Sequence, residues 1–364
     1  MNADVRLGAL RRRMAEEHVD ALLVTGASDQ RWATGLDGVF DEDPGTACLI
    51  TSQAARLYAD GRYVEAAEEA SGDSPWAIHA AARPARAALD TLRDEGAERL
   101  ALQPSLSWTA YTDLAGAFAG EVVPATRWLG SARLVKEARE IERIEAAQAI
   151  TDAAFEHILG VLAVGRTERE IALALEVFMR EAGSEGVAFA PIVASGPDSA
   201  KPHAIPTERR LASGDFAVLD FGARVGGYCA DMTRTVVLGV ASERQRAIHG
   251  AVLEANEAAI AACRPGLTGR ELHAAAVNVL ARQGMAERFT HGLGHGVGLD
   301  VHEGPRLNSK SEDVMASGMV VTIEPGVYEP GFGGVRIEDL VVIEDGGRRV
   351  LTRSRRTLIE IQGR

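Results

Sequence analysis

The stretch VLDFGARVGGYCADMTRT, Val218 to Thr235, sets Asp220 and Asp231 on either side of a glycine turn. A later stretch, VTIEPGVYEPGFGGVRIEDL, Val321 to Leu340, answers with Glu324 and Glu338. Both read as two-stranded hairpins with a carboxylate on each strand. With side chains alternating along a strand, Val218 and Asp220 share a face, as do Asp231, Thr233 and Thr235, so the acids can point into one cleft. Between the two stretches falls HGLGHGVGLDVHEGP, His291 to Pro305. Four carboxylates sharing a site repel one another unless cations compensate. Two divalent ions roughly 3.5–4 Å apart resolve that conflict, and they make hydrolysis the leading chemistry. Oxygen-rich ligation with one imidazole suits Mn, Fe or Co, and Zn less exclusively. A single strand-end Asp is most often a turn former, so the weight lies in the set.

The set is reinforced by an internal repeat. GRTEREIALALEVFMREAG, Gly165 to Gly183, is matched by GLTGRELHAAAVNVLARQG, Gly266 to Gly284. Thr167 with Glu170, and Thr268 with Glu271, are capping-box patterns that open a helix in each copy. Downstream, SGDFAVLDFG aligns with SGMVVTIEPG, which places Asp220 on Glu324. Asp231 and Glu338 fall at matching places, and His203 lies near the counterpart of His302. A duplicated helix–helix–hairpin unit, packed about a pseudo-twofold axis, brings the four acids together. Chance similarity between alanine-rich helices does not account for aligned acids. The glycines of HGLGHGVG allow close backbone approach while His295 reaches a metal. A phosphate-cradling role is disfavoured, because the spacing is neither GxGxxG nor a GK[ST] ending.

The 364 residues suffice for one large domain or two ordinary ones, and 46% apolar with 25% charged residues is the balance of a soluble globular chain. A net charge of −13 without a basic block argues against nucleic acid or an anionic membrane as partner. Cys48, Cys229 and Cys263 are few, odd in number and widely spaced, which suits a reducing cytoplasm. The N-terminus lacks the apolar segment of a signal peptide, and no run reaches the roughly 18 apolar residues of a membrane span.

Residues 1–130 read as a self-contained α/β unit. A helix over Val5 to Glu17 leads into a strand over Ala21 to Gly26; ACLIT, Ala47 to Thr51, is further sheet, and ARAALDTLRDEG is a helix. The loop from Gly35 to Gly45 carries Asp37, Asp41, Glu42 and Asp43, read as solvated surface or as a draw for a substrate ammonium. A long helix then begins near Ser131 to Lys136, with Ile141, Ile144, Ile150, Phe155, Ile158 and Leu162 on one face.

ADGRYVEAAEEA (Ala59 to Ala70), RLVKEAREIERIEAA (Arg133 to Ala147), LDFGARVGGYCADMTRT, HGLGHGVG, VHEGP, IEPG and VRIED together resemble the metal-dependent prolidase and aminopeptidase P family. The resemblance covers nearly the whole chain. It implies an α+β architecture: a creatinase-like N-terminal α/β domain over 1–130, then a pita-bread catalytic domain over 131–364. It implies two divalent ions, Mn foremost and Co, Fe or Zn as alternatives, held by Asp220, Asp231, His295, Glu324 and Glu338. Asp231 and Glu338 would bridge, and a hydroxide between the ions would be the nucleophile. Glu324 would manage the proton, His203 and His302 would steady the tetrahedral intermediate and leaving group, His291 would line the pocket, and Arg336 would orient or neutralise the site. Arg306 either binds a substrate carboxylate or pairs with surface acids. His249 and His273 read as structural, and Cys229 as packed.

The implied activity is hydrolysis of the Xaa-Pro bond in short peptides by a cytoplasmic homodimer, with Arg306 and the compact length favouring dipeptides over the longer substrates of an aminopeptidase P. Creatinase-like amidinohydrolases work without metal and lack this ligand set. A methionine aminopeptidase has no need of the first 130 residues. A non-catalytic binding module has no reason to keep a costly acidic cluster.

Overall fold

Leu7, Leu10 and Met14 recur at helical spacing and are buried along one side of the opening helix α1 (Ala3–Glu16), whereas Val5 is exposed. The structure, a computed structural model, describes residues 3–41, 43 and 45–362. The chain divides between Arg133 and Leu134 into two compact units.

In the first unit, six strands form one sheet: β1 (Ala21–Val24), β2 (Thr46–Thr51), β3 (Ala55–Ala59), β4 (Ala77–Ala80), β5 (Arg99–Leu102) and β6 (Glu121–Pro124). Their order is β4-β3-β2-β1-β5-β6; β2 lies antiparallel to β1 and β3, and the other pairs are parallel. Every residue of β1 and β2 is buried, so the sheet centre is covered on both faces. The covering helices are α1, α2 (Ala27–Thr34), α3 (Val64–Ser71), α4 (Pro84–Asp94), α5 (Trp108–Ala117) and α6 (Trp128–Ala132). Pro84 starts α4, where its missing N–H costs nothing, and Ala88, Leu89 and Leu92 pack on Leu100 and Leu102. In the acidic loop, Asp41 accepts from the Tyr63 hydroxyl at 2.7 Å and Asp43 pairs with Arg62 at 2.6 Å; Glu42 lies outside the described residues.

The second unit opens with α7 (Ala138–Leu159), whose capping box is formed by Glu137 and Glu140. Ile144, Phe155 and Ile158 are fully buried, but Leu162 lies beyond the helix, because the chain turns at Gly160. Then come α8 (Glu168–Glu181), α9 (Glu243–Ala262) and α10 (Gly269–Arg282). The repeat is visible in the backbone. Thr167–Glu170 and Thr268–Glu271 both close capping boxes, and α8 and α10 are each 14 residues long. Gly165 N–H donates to Leu211 O at 2.8 Å, and its counterpart Gly266 donates to Met315 O at 2.9 Å. Both glycines hold a left-handed φ, 91° and 88°, that a side chain would strain.

The strands of the first half are β7 (Gly186–Val187), β8 (Ile192–Ser195), β9 (Phe216–Phe221), β10 (Ala223–Val225), β11 (Tyr228–Cys229) and β12 (Met232–Leu238). Those of the second are β13 (Gly294–Gly296), β14 (Glu303–Leu307), β15 (Val320–Ile323), β16 (Gly326–Glu329), β17 (Gly333–Arg336), β18 (Asp339–Glu344) and β19 (Gly347–Val350), with β20 (Ile359–Ile361) last. Two larger sheets result, ordered β20-β12-β9-β8 and β14-β13-β15-β18-β19. Helices α7 and α8 bury their apolar faces on the first, and α9 and α10 on the second. No helix among the described residues is long and apolar enough to cross a membrane.

The single hairpin expected for each acid-bearing stretch is a correction. In each, an antiparallel outer pair, β9–β12 or β15–β18, gives way to a short inner pair, β10–β11 or β16–β17. Gly222 and Pro325 stand at the breaks, and proline has no N–H for a ladder. Asp220 lies within β9, but Asp231, Glu324 and Glu338 lie at the breaks, one residue outside a strand.

Candidate metal centre

Strand breaks give the acids their convergence. Asp231, Glu324 and Glu338 stand where the outer pairs end, and Asp220 stands near the end of β9, opposite Thr233 on one side and Ile192 on the other. Asp220, Asp231, His295, Glu324 and Glu338 therefore line one cavity of about 430 Å³, with His203, His291, His302, Arg306 and Arg336 on the same walls. Every site residue expected from the sequence is brought to this cavity. Ligand atoms of Asp231, His295 and Glu338 lie within 4.8 Å of one another. His295 Nε2 is 3.3 Å from Glu324 Oε1 and 3.6 Å from Asp231 Oδ2.

His295 is placed by its glycine neighbours. A Cβ on Gly294 would fall 2.1 Å from Thr322 O, and one on Gly296 would fall 1.8 Å from Gly304 O. Only glycine lets β13 lie between β14 and β15 at this distance. His295 N–H donates to Thr322 Oγ1 at 3.1 Å, and the same hydroxyl donates to Glu324 Oε1 at 3.1 Å. Nδ1 lies 3.1 Å from Gly296 O, a contact that only a protonated Nδ1 satisfies, so the Nε2 lone pair faces the acids. Burial, with His302 adding to it, pulls the imidazole down to about 3, which keeps it neutral as a metal ligand must be.

The acids carry the electrostatic cost. Burial and then Glu338 push the Asp231 carboxyl well above its ordinary range, and burial and then Glu324 do the same to Glu338. Burial raises Glu324 to about 7. Arg336 is the buried cation among them. Its Nη2 bonds Asp220 Oδ2 at 2.6 Å, its Nε donates to Thr233 Oγ1 at 2.9 Å, and its Nη1 donates to the Tyr328 hydroxyl at 2.9 Å. The Thr233 hydroxyl donates in turn to Glu338 Oε2 at 2.6 Å. One guanidinium does not balance four acids, and Asp220 Oδ1 is buried without any hydrogen-bond partner. An orphaned carboxylate oxygen, raised carboxyls and a neutral imidazole aimed among them form a donor set that fits divalent cations.

Around this cluster, Tyr328 was not anticipated from the sequence. Its hydroxyl lies 2.9 Å from His291 Nε2, and His291 Nδ1 lies 2.8 Å from Gly292 O, so Asp220, Arg336, Tyr328 and His291 form one chain. Thr322, Asn308, Phe189 and Ile192 were likewise missed; only Thr233 had a signal, its shared face with Asp231. His203, His302 and Arg306 are exposed, and the rings of His302 and His295 lie 4.2 Å apart. The Arg306 guanidinium makes no hydrogen bond or ion pair among the described residues. His249 is buried, and His273 packs near Phe289 at 5.4 Å.

The description Metallopeptidase family M24 matches residues 142–345, and Creatinase/Prolidase N-terminal domain matches 6–135. A Xaa-Pro dipeptidase of Pyrococcus horikoshii is 37% identical over 347 residues, 95% of this chain and 96% of that one. The solved Xaa-Pro dipeptidase from Bacillus anthracis superposes with a TM-score of 0.93 at 36% identity, covering 99% of this chain and 100% of the other. A solved X-Pro aminopeptidase from Thermotoga maritima gives 0.86 at 33% identity, covering 94% and 98%. The architecture is thus the pita-bread fold preceded by a creatinase-type domain, and the chain belongs to metallopeptidase family M24.

Proposed function

We propose that this metallopeptidase is a Xaa-Pro dipeptidase using two divalent ions, Mn foremost, bound by Asp220, Asp231, His295, Glu324 and Glu338. The observation that carries the reading is the convergence of five donor groups, one with an orphaned buried oxygen, in a single cavity. The relatives named above act on Xaa-Pro substrates and match over nearly full length. Divalent ions bound there supply Lewis acidity toward the scissile carbonyl and a lowered pKa for attacking water.

The chain's own residues do the rest. Glu324, already near neutrality, takes the proton from the attacking water and returns it to the proline nitrogen. That nitrogen has no amide proton of its own, so the leaving group depends on this delivery. His302 and His203, exposed on the cavity wall, donate to the developing oxyanion and steady the imino group. Arg336 and Tyr328 keep Asp220 and His291 in place while the charge changes. Arg306, exposed and unpaired on the wall, meets the proline carboxylate, which favours dipeptides over longer substrates. The reading takes 1–130 and 131–364 as the two domains, and places a homodimer in the cytoplasm, consistent with three buried, free cysteines.

The test is a side-by-side assay of Xaa-Pro and Xaa-Pro-Yaa with metal-free protein, before and after addition of Mn²⁺. Mn-dependent cleavage with a preference for the dipeptide is expected. Preference for the tripeptide favours the aminopeptidase P reading, for which the Thermotoga neighbour is the supporting observation. No cleavage of either with Mn²⁺ bound refutes the proposal.

A further inference from the structure

Glu324 and Glu338 sit at strand breaks, where each main chain keeps one backbone bond, Glu324 N–H to Leu293 O at 2.8 Å and Glu338 N–H to Thr233 O at 3.1 Å, and their carboxylates repel each other. Behind the sheet a second hold acts on the residues just before them. Asn256, on the buried face of α9, is fully enclosed at 0% exposure. Its Nδ2 donates to Ile323 O at 3.0 Å and to Ile337 O at 3.2 Å. These carbonyls belong to the residues immediately before Glu324 and Glu338, so one amide grips the backbone of both. The same Nδ2 lies 3.0 Å from Asp339 Oδ2, and Arg356 Nη1 donates to Asn256 Oδ1 at 3.2 Å, which fixes which way the amide faces.

Asp339 extends the grip. Its Oδ1 accepts from Arg234 Nη2 at 2.8 Å, an ion pair in which both side chains are at most 2% exposed. Arg234 Nη1 donates to Glu338 O at 2.5 Å and to Thr233 O at 2.9 Å, and its Nη2 and Nε reach Ser354 O and Arg355 O. A buried amide among Val252, Ala255 and Ala259 is costly unless bonded, and an apolar residue would serve that core better. What the amide offers instead is a fixed distance between two main-chain points that each carry an acid.

We propose that Asn256, with Asp339 and Arg234, is a positioning unit that sets the spacing of Glu324 and Glu338 and thereby the affinity of the site for divalent metal. This rests on the reading of those glutamates as ligands. None of the three touches the cavity, so their effect passes through the backbone.

The test is calorimetric titration of the metal-free full chain with MnCl₂, alongside Xaa-Pro turnover at saturating Mn²⁺. Asn256→Leu, close in volume and without donors, is expected to weaken Mn²⁺ binding about 10–100-fold, the range typical of groups that orient ligands. KM for the dipeptide at saturating metal stays unchanged. Val252→Ala, on the same helix, lowers the melting temperature without contacting the carbonyls, and its Mn²⁺ affinity should equal that of the wild type. The inference is overturned by an Asn256→Leu protein that folds and binds Mn²⁺ as tightly as wild type, or by a Val252→Ala protein weakened to the same degree. Should Asn256→Leu fail to fold, Arg356→Ala carries the test. It releases the amide oxygen and the 3.9 Å ion pair of the Arg356 Nε with Asp339 Oδ2, both contacts of the positioning unit made by a partly exposed partner, and an affinity equal to wild type overturns the inference. A wild-type chain that takes up no Mn²⁺ and cleaves no Xaa-Pro bond sinks the ligand reading and this inference with it; normal uptake with unaffected variants sinks this inference alone.

Discussion

Replacing Arg336 with methionine removes the buried cation that faces the acids and keeps most of the side-chain volume. At 2.6 Å from Asp220 and an effective dielectric of about 20, the pair attracts by roughly 6 kcal/mol, much of it offset by desolvation of the guanidinium. Removing one partner of such a pair costs about 3–5 kcal/mol, because the other charge stays buried and uncompensated. The Thr233 and Tyr328 contacts fall within that range. In a unit of this size each kcal/mol is worth roughly 2–4 °C, so metal-free Arg336→Met should melt about 10 °C below wild type. The direction with pH follows from the acids. Glu324 is raised to about 7 from an ordinary 4.5, so the folded state holds a proton that the unfolded chain has already released. Stability from this source is therefore full below about 4.5 and lost as pH rises through 7. Asp231 and Glu338 act in the same direction. The penalty of Arg336→Met should thus be larger at pH 8 than at pH 5. Saturating Mn²⁺ should shrink it at pH 8, since bound cations do the same electrostatic work. Urea unfolding followed by circular dichroism measures each arm. A metal-free loss under about 1 kcal/mol, or a penalty indifferent to both pH and Mn²⁺, refutes the argument that Arg336 balances this cluster.

Three further outcomes are expected. Arg306→Ala should lower kcat/KM for Xaa-Pro by about 10–100-fold, the equivalent of one charge-assisted hydrogen bond, and leave Xaa-Pro-Yaa nearly untouched; equal losses on both substrates refute the carboxylate role. Burial, aided by Arg234, holds His249 down at about 4 instead of 6.5, so the fold loses up to roughly 3 kcal/mol as pH falls from 6.5 to 4. His249→Gln should flatten that acid limb relative to wild type in parallel urea melts, and an unchanged difference between pH 7 and pH 4 contradicts it. Gly296→Ala should abolish tight Mn²⁺ binding in calorimetry, because its Cβ would overlap Gly304 O and β13 must move; wild-type affinity refutes the close-approach argument.

The convergence of the four acids and His295 was legible in the sequence because the repeat aligned Asp220 with Glu324 and because His295 lay in a run of glycines. Its supports were not, since each acts across distances that sequence spacing does not encode. Tyr328 sits inside a quoted motif, yet its role depends on Arg336 and His291 meeting at one hydroxyl. Asn256 reads as one polar residue on an alanine-rich helix until Ile323 O and Ile337 O are placed against it. In the first unit, β1 and β2 announced themselves as apolar runs. The edge strands β4 and β6 are short and mostly exposed, so burial left no pattern on them. The same limit explains the hairpins: period-two alternation marks strands but does not say where an outer pair yields to an inner one.

The repeat also shows why neither half can carry this chemistry alone. Its backbone features recur in each half: the capping boxes at Thr167 and Thr268, and the glycine turns at Gly165 and Gly266. The charge compensation does not recur; it crosses. Asp220 of the first half is held by Arg336 of the second, and Glu338 of the second accepts a hydrogen bond from the Thr233 hydroxyl of the first. Arg234 of the first half bonds Asp339 and the Glu338 carbonyl of the second. Each half thus buries an acid whose partner the other half supplies. Separating them would leave carboxylates unpaired on both sides, a cost of several kcal/mol per charge. Duplication supplied two equivalent strand breaks, and the exchange of partners between them ties the two halves into one site.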